Sequence, residues 1–124
     1  MARCDEGYLC DVCGEDVGAM TDSAMYLRYV TGGLDPEVLH TYPERHLRCE
    51  PELAQYIVHE KFKPVACEGP FDKRALDAEY VAQREGLMTR GWLRLRELAG
   101  GELPLRDYPL PEVAEAMRSR YGDG

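Results

Sequence analysis

The longest hydrophobic pattern lies in the second half of the chain. Val81, Met88, Trp92, Leu95 and Ala99 follow one another by 7, 4, 3 and 4 residues, which is one face of a helix. Leu87, Leu93 and Leu98 widen that face. Asp77 caps its start and Gly100-Gly101 stops it, so the pattern predicts a helix over about 78–99. Its apolar stripe reads as core packing in preference to a groove for a partner. Gly86 and Gly91 each cost about 1 kcal/mol relative to alanine in a helix interior, and their presence points to close approach of another element near Trp92. Upstream, the run Ala24-Met25-Tyr26-Leu27-Arg28-Tyr29-Val30 predicts a strand, ended by Gly32-Gly33. Asp35-Pro36-Glu37-Val38-Leu39 predicts a short helix with a cap and a proline at its first position. Leu53, Tyr56 and Ile57 share one stripe and predict a helix over 51–60. Phe62 to Cys67, interrupted by Pro64, predicts a short edge strand. Gly69-Pro70 then breaks the chain. Residues 102–111 alternate proline with apolar side chains and read as an extended segment laid on the surface. A last helix is expected over about 111–121, with Val113, Met117 and Tyr121 on one side.

At 124 residues, the chain has the length of one domain and can own a real core. Its hydrophobic fraction of 44% and charged fraction of 31% exclude collagen-like, disordered and multi-span membrane classes. No apolar run approaches the ~20 residues that a membrane helix needs. No apolar stretch follows Arg3, so no secretory signal is read and the cytoplasm is the expected compartment. The net charge of −8 sits mainly in residues 1–70, which carry 6 basic and 13 acidic side chains, against 9 and 10 in residues 71–124. Nucleic acids and anionic membranes, which attract basic surfaces, are therefore disfavoured partners. Another protein is the expected one.

Chemistry enters with the cysteines: Cys4, Cys10, Cys13, Cys49 and Cys67. An odd number in a cytosolic chain argues against a disulfide framework. Cys10 and Cys13 form Cys-x-x-Cys, followed at once by Gly14. His46 and Cys49 form His-x-x-Cys, 32 residues further on. Two short-spaced pairs of soft donors separated by a structured loop are what a closed tetrahedral zinc site requires. A two-residue gap lets one turn aim both side chains at one ion, and glycine after the second cysteine permits the positive φ of such a turn. Pro51 starts a helix just after Cys49, where the helix dipole favours a thiolate. The metal assigned from these residues is a structural Zn²⁺ on Cys10, Cys13, His46 and Cys49.

Over about residues 8–60 this arrangement resembles a treble-clef zinc finger. The order Cys-x-x-Cys…His-x-x-Cys is also similar to the fingers of poly(ADP-ribose) polymerases. The resemblance implies a knuckle, a hairpin and a helix whose start supplies the last two ligands. Only the metal-ligand roles carry over, because the basic and aromatic residues with which those fingers hold DNA have no counterpart here. The expected fold class is α+β and mostly helical. A treble-clef-like module over 1–68 would be followed by a helical segment over 69–124, packed on it as one compact domain.

A rival reading takes Cys4, Cys10, Cys13 and Cys49 as ligands of a [2Fe–2S] cluster, since their spacing is similar to that of ferredoxins. Only three residues precede Cys4, which leaves no room for the segment that such a fold places before its first ligand. Catalytic zinc is less favoured, because four good ligands close the site and His59-Glu60 lacks the second histidine of a His-Glu-x-x-His helix. His40 reads as a surface histidine or one behind the ligands, though it competes with His46 for the ligand position. His59 reads as a helix-end cation, Cys67 as a buried thiol, and Cys4 as a spare thiol or a replacement for one of the four. The function expected is that of a small zinc-stabilised protein-interaction or regulatory module, with an enzyme less favoured and left open. A redox protein and a nucleic-acid-binding finger stand as alternatives.

Overall fold

The computed structural model describes residues 8–34, 41–99, 101, 104 and 107–117. Two short strands, β1 (Tyr8–Leu9) and β2 (Asp16–Val17), form an antiparallel hairpin with Tyr8 opposite Val17 and Leu9 opposite Asp16. Among the described residues, four α-helices follow: α1 (Ala24–Val30), α2 (Pro51–Ala54), α3 (Ala78–Ala99) and α4 (Pro111–Met117). Single 3₁₀ turns at Met20–Asp22, Leu47–Cys49 and Lys73–Ala75 punctuate the connections. The described chain is mostly helical.

Residues 24–30 form α1, not the strand that their composition suggests. The Ser23 side chain caps the helix by accepting the Tyr26 N–H at 3.0 Å. A buried carboxylate from Glu44 accepts a second free amide, that of Met25, at 3.2 Å. Ala24, Met25, Leu27, Tyr29 and Val30 are all buried, so the segment is apolar on almost every side. A short run that is apolar all round fits a buried helix as well as a buried strand, and only the caps distinguish them.

The helix expected over 51–60 ends at Ala54. Beyond it the backbone turns to meet α3. The hydroxyl of Thr89 accepts the Val58 N–H at 2.9 Å and lies 3.4 Å from the Tyr56 carbonyl. The Gln55 amide side chain donates to the Phe71 carbonyl at 2.8 Å and accepts the Lys73 N–H at 2.9 Å. Tertiary hydrogen bonds thus replace further helix, while Leu53, Tyr56 and Ile57 all remain in the core. Residues 62–67 contain no strand, and Phe62 and Val65 pack on the core from an irregular loop. The short helix expected over 35–39 lies outside the described residues, as does the end of the last helix beyond Met117.

The long helix spans 78–99 as its pattern requires. The Asp77 carboxylate accepts the Tyr80 N–H at 3.0 Å at its start. Met88, Gly91, Trp92, Leu95 and Leu98 form its buried stripe. Trp92 is the hub: its indole N–H donates to the Thr21 carbonyl at 3.1 Å, and its ring meets those of Phe62 and His59 at centroid distances of 5.2 and 5.4 Å. At Gly91 the helix touches α1. The rest of the chain is tied back to the same pair of helices. The Leu110 N–H donates to the Val30 carbonyl at 3.0 Å, and Arg94 holds the carbonyls of Asp107 and Tyr108.

The two glycines of α3 separate packing from propensity. A Cβ at Gly91 would overlap Thr31 Cγ2 and come within 2.9 Å of Leu27 Cδ1. Thr31 is fixed by its hydroxyl bond to the Leu27 carbonyl at 2.8 Å. Gly91→Ala is therefore expected to destabilise by about 1–3 kcal/mol, the usual cost of overpacking. Gly86 is exposed and has no neighbour within 4 Å of such a Cβ, so Gly86→Ala is expected to stabilise by up to about 1 kcal/mol. Urea denaturation followed by the fluorescence of the single tryptophan measures both.

Candidate metal centre

The first arm of the centre is the tip of the β1–β2 hairpin. The Cys10 N–H donates to the Glu15 carbonyl at 2.8 Å, and the Gly14 N–H returns to the Cys10 carbonyl at 2.9 Å. Gly14 sits at φ +79°, the left-handed conformation that its place after Cys13 suggested. Inside this turn the backbone N–H groups of Val12 and Cys13 point at the Cys10 sulfur, at 3.3 and 3.4 Å.

The second arm is the segment 44–49. It is sewn to the first by the Asp11 N–H, which donates to the Glu44 carbonyl at 2.8 Å, and to α1 by the Ala24 N–H, which donates to the Arg45 carbonyl at 2.9 Å. Ser23 and His46 form a β-bridge there. The 3₁₀ turn Leu47–Cys49 brings the Cys49 sulfur to the same side as the His46 ring, with Cys49 Sγ 3.9 Å from Nδ1. Across the gap, Cys13 Sγ lies 3.4 Å from the same nitrogen. One donor atom from each of Cys10, Cys13, His46 and Cys49 lies within 4.8 Å of all the others. A tetrahedral ion with metal–sulfur bonds of about 2.3 Å and a metal–nitrogen bond of about 2.0 Å has edges of about 3.5–3.8 Å. The cluster needs only a small contraction to reach them.

The histidine is oriented from behind. Its Nε2 lies 2.9 Å from the Asp16 carbonyl, which accepts only a proton-bearing nitrogen. That bond assigns the proton to Nε2 and leaves the lone pair of Nδ1 facing the sulfurs, the outer-shell arrangement typical of metal-bound imidazole. The thiols differ among themselves. Burial pushes the Cys10 thiol up, but N–H groups from Cys13, His46 and Val12 outweigh it and bring its pKa down to about 6. Burial and then the neighbouring Cys10 and Cys13 push Cys49 up to about 11. A cluster of donors that resist sharing negative charge is stabilised by a cation at its centre, which favours all three thiolates together.

Two buried carboxylates support the centre. Glu44 is only 5% exposed, and its carboxylate accepts the Ser23 hydroxyl at 2.6 Å and the N–H groups of Met25 and Arg45. Burial raises its pKa against the opposing pull of these bonds. Glu50, beside Cys49, is ion-paired with Arg28 and, at 3.6 Å, with Arg45; Arg45 also reaches Asp11 in the first arm at 3.1 Å. Neither glutamate has a spacing signature, because the partners that bury them, Ser23 and Met25 for Glu44 and Arg28 for Glu50, are distant in sequence.

Other sequence candidates stand apart from this group. Cys67 is buried, and burial raises its pKa. The His59 ring packs on Trp92, and its Nδ1 accepts the Lys61 N–H at 3.0 Å. Cys4 and His40 lie outside the described residues. Compared with family models, characterised proteins and solved structures, the chain finds no match.

If the four donors hold an ion, removing one thiolate must release it. Cys13→Ser is expected to abolish tight metal binding and to lower the thermal midpoint, whereas Cys67→Ser is expected to leave the metal content unchanged. Because these ligands bind only when deprotonated, acidification is expected to release the ion from the unaltered protein. Metal content by mass spectrometry and unfolding by circular dichroism measure all three.

Proposed function

We propose that the chain binds one structural zinc ion through Cys10, Cys13, His46 and Cys49, and that the fold so stabilised serves as a protein-interaction or regulatory module. The observation that carries the zinc reading is the convergence of four donor atoms within 4.8 Å, with the imidazole turned toward the sulfurs by its bond to Asp16. Three sulfurs and one nitrogen suit zinc by their softness and fill a tetrahedron, which leaves no position for a water nucleophile. This favours a structural role over catalysis. The treble-clef likeness belongs to the same reading: it is supported by a Cys-x-x-Cys knuckle on a hairpin and by a second ligand pair on the turn that leads into α2.

Structural zinc contributes about 10–16 kcal/mol of apparent binding free energy in finger peptides. That is comparable with the whole net stability of a domain, about 5–15 kcal/mol. The ion would therefore decide whether the N-terminal half folds. The protein partner is supported by the knuckle's surface, where Leu9 and Val12 are 66% and 57% exposed. The charge of −8 disfavours nucleic acid in that role. The free cysteines suit a reducing compartment such as the cytoplasm. Among the described residues, no helix is long and apolar enough to cross a membrane.

Elemental analysis of the untagged protein, purified without added metal, tests this assignment. About one zinc and no iron per chain is the expected result. About two irons per chain would replace it with a [2Fe–2S] protein that uses Cys4, and no metal would reduce the cysteines to packing residues.

A further inference from the structure

The three thiols of the centre differ in how they meet solvent. Cys10 is buried and Cys49 half-buried, but Cys13 is exposed. It stands at the tip of the β1–β2 hairpin beside Val12, which is exposed as well. A cation at the centre keeps each sulfur in its thiolate form. Cysteine oxidation follows thiolate character and access together. Access therefore sets Cys13 apart from the other two.

A second thiol lies next to it on the same turn. The Cys13 N–H points at the Cys10 sulfur at 3.4 Å, so that sulfur rests against the backbone of the residue that carries the exposed thiol. The donor atoms of the two residues lie within 4.8 Å of each other. A Cys-x-x-Cys turn is the spacing with which disulfide-exchanging proteins form and break their bond. The Cys49 thiol comes from the other arm, on the turn Leu47–Cys49, and Cys67 is buried outside the group. Cys10 is thus the thiol best placed to follow Cys13 in a reaction.

We infer that the centre is a peroxide-responsive switch, in which Cys13 takes the oxidant and Cys10 closes a disulfide on it. The inference rests on the zinc reading proposed above. The Cys13 thiolate attacks one oxygen of hydrogen peroxide, the O–O bond breaks, hydroxide leaves and Cys13 becomes a sulfenic acid. The Cys10 thiolate then attacks the Cys13 sulfur, the S–O bond breaks, a second hydroxide leaves and the S–S bond forms. Two thiolates have then lost one electron each, and the peroxide has gained both. Of the four donors, His46 and Cys49 remain, too few for a closed tetrahedral site. A thiol reductant reverses the step, so that a reducing compartment resets the centre.

The test treats the full-length, zinc-loaded protein with hydrogen peroxide in about tenfold molar excess and follows zinc release with a coloured chelator. Metal content is measured first. A protein that holds no zinc overturns the zinc reading and this inference with it, whereas one that holds zinc and keeps it under peroxide overturns the inference alone. The expected result is loss of about one zinc per chain together with one new disulfide, and rebinding once a thiol reductant and zinc are added. Proteolysis on the N-terminal side of aspartate puts Cys4, Cys10 and Cys13 on separate peptides, because Asp5 and Asp11 lie between them. A Cys10–Cys13 link is expected in their mass spectrum; a link to Cys4, Cys49 or Cys67, or sulfinic acid without a disulfide, overturns the inference. Cys13→His keeps four zinc donors without the exposed thiol, and is expected to release zinc about tenfold or more slowly; release at the unaltered rate overturns the inference. Should that variant fail to bind zinc, the linked peptides of the unaltered protein decide the matter. Cys67→Ser is expected to respond to peroxide as the unaltered protein does, and resistance in that variant overturns the assignment to the hairpin.

Discussion

Glu44 is the point on which the rest of the arrangement depends. Its carbonyl receives the Asp11 N–H of the cysteine turn, while its carboxylate receives Ser23, Met25 and Arg45. One buried residue therefore fixes the first arm of the candidate metal centre, the start of α1 and the segment that delivers His46. A buried carboxylate is costly unless its oxygens are bonded, and each bond that offsets this cost here also places a neighbouring element. The same logic runs through Glu50, which binds Arg28 of α1 and Arg45 beside the centre.

That scaffold explains how two ligand pairs, distant in sequence, meet with the right donor atoms forward. Closing a loop of this length costs several kcal/mol of chain entropy, and the β-bridge from Ser23 to His46 and the bond from His46 to Asp16 hold it closed. The centre is coupled in turn to the core. α1, capped through Glu44, lies against α3 at Gly91, and Trp92 of α3 reaches back to Thr21 just before α1. Loss of an ion at the cysteines would thus reach the long helix through α1.

The legible features were local ones. The long helix declares itself through a stripe that runs from Val81 to Ala99, and its cap and its closing glycines leave little freedom in its bounds. The four donors could be read because short spacing within each pair is a condition of chelation. The positive φ of Gly14 follows from the same turn. What misled were elements whose identity rests on distant partners: residues 24–30 were consistent with a strand until Ser23 and Glu44 are seen to cap them, and α2 stops early because Thr89 accepts the Val58 N–H and the Lys73 ammonium donates to the Gln55 carbonyl, two backbone groups that a longer helix would have used.

The sequence by itself determined the donor chemistry, the dominant helix and the acidic character of the chain, since these depend on residue identity and on contacts within a few positions. Tertiary structure alone decided the burial of Glu44 and Glu50 and the tautomer of His46. Each of these is set by the field and hydrogen bonds of residues tens of positions away. Their energies rest on the exclusion of water, which exists only once the elements have packed.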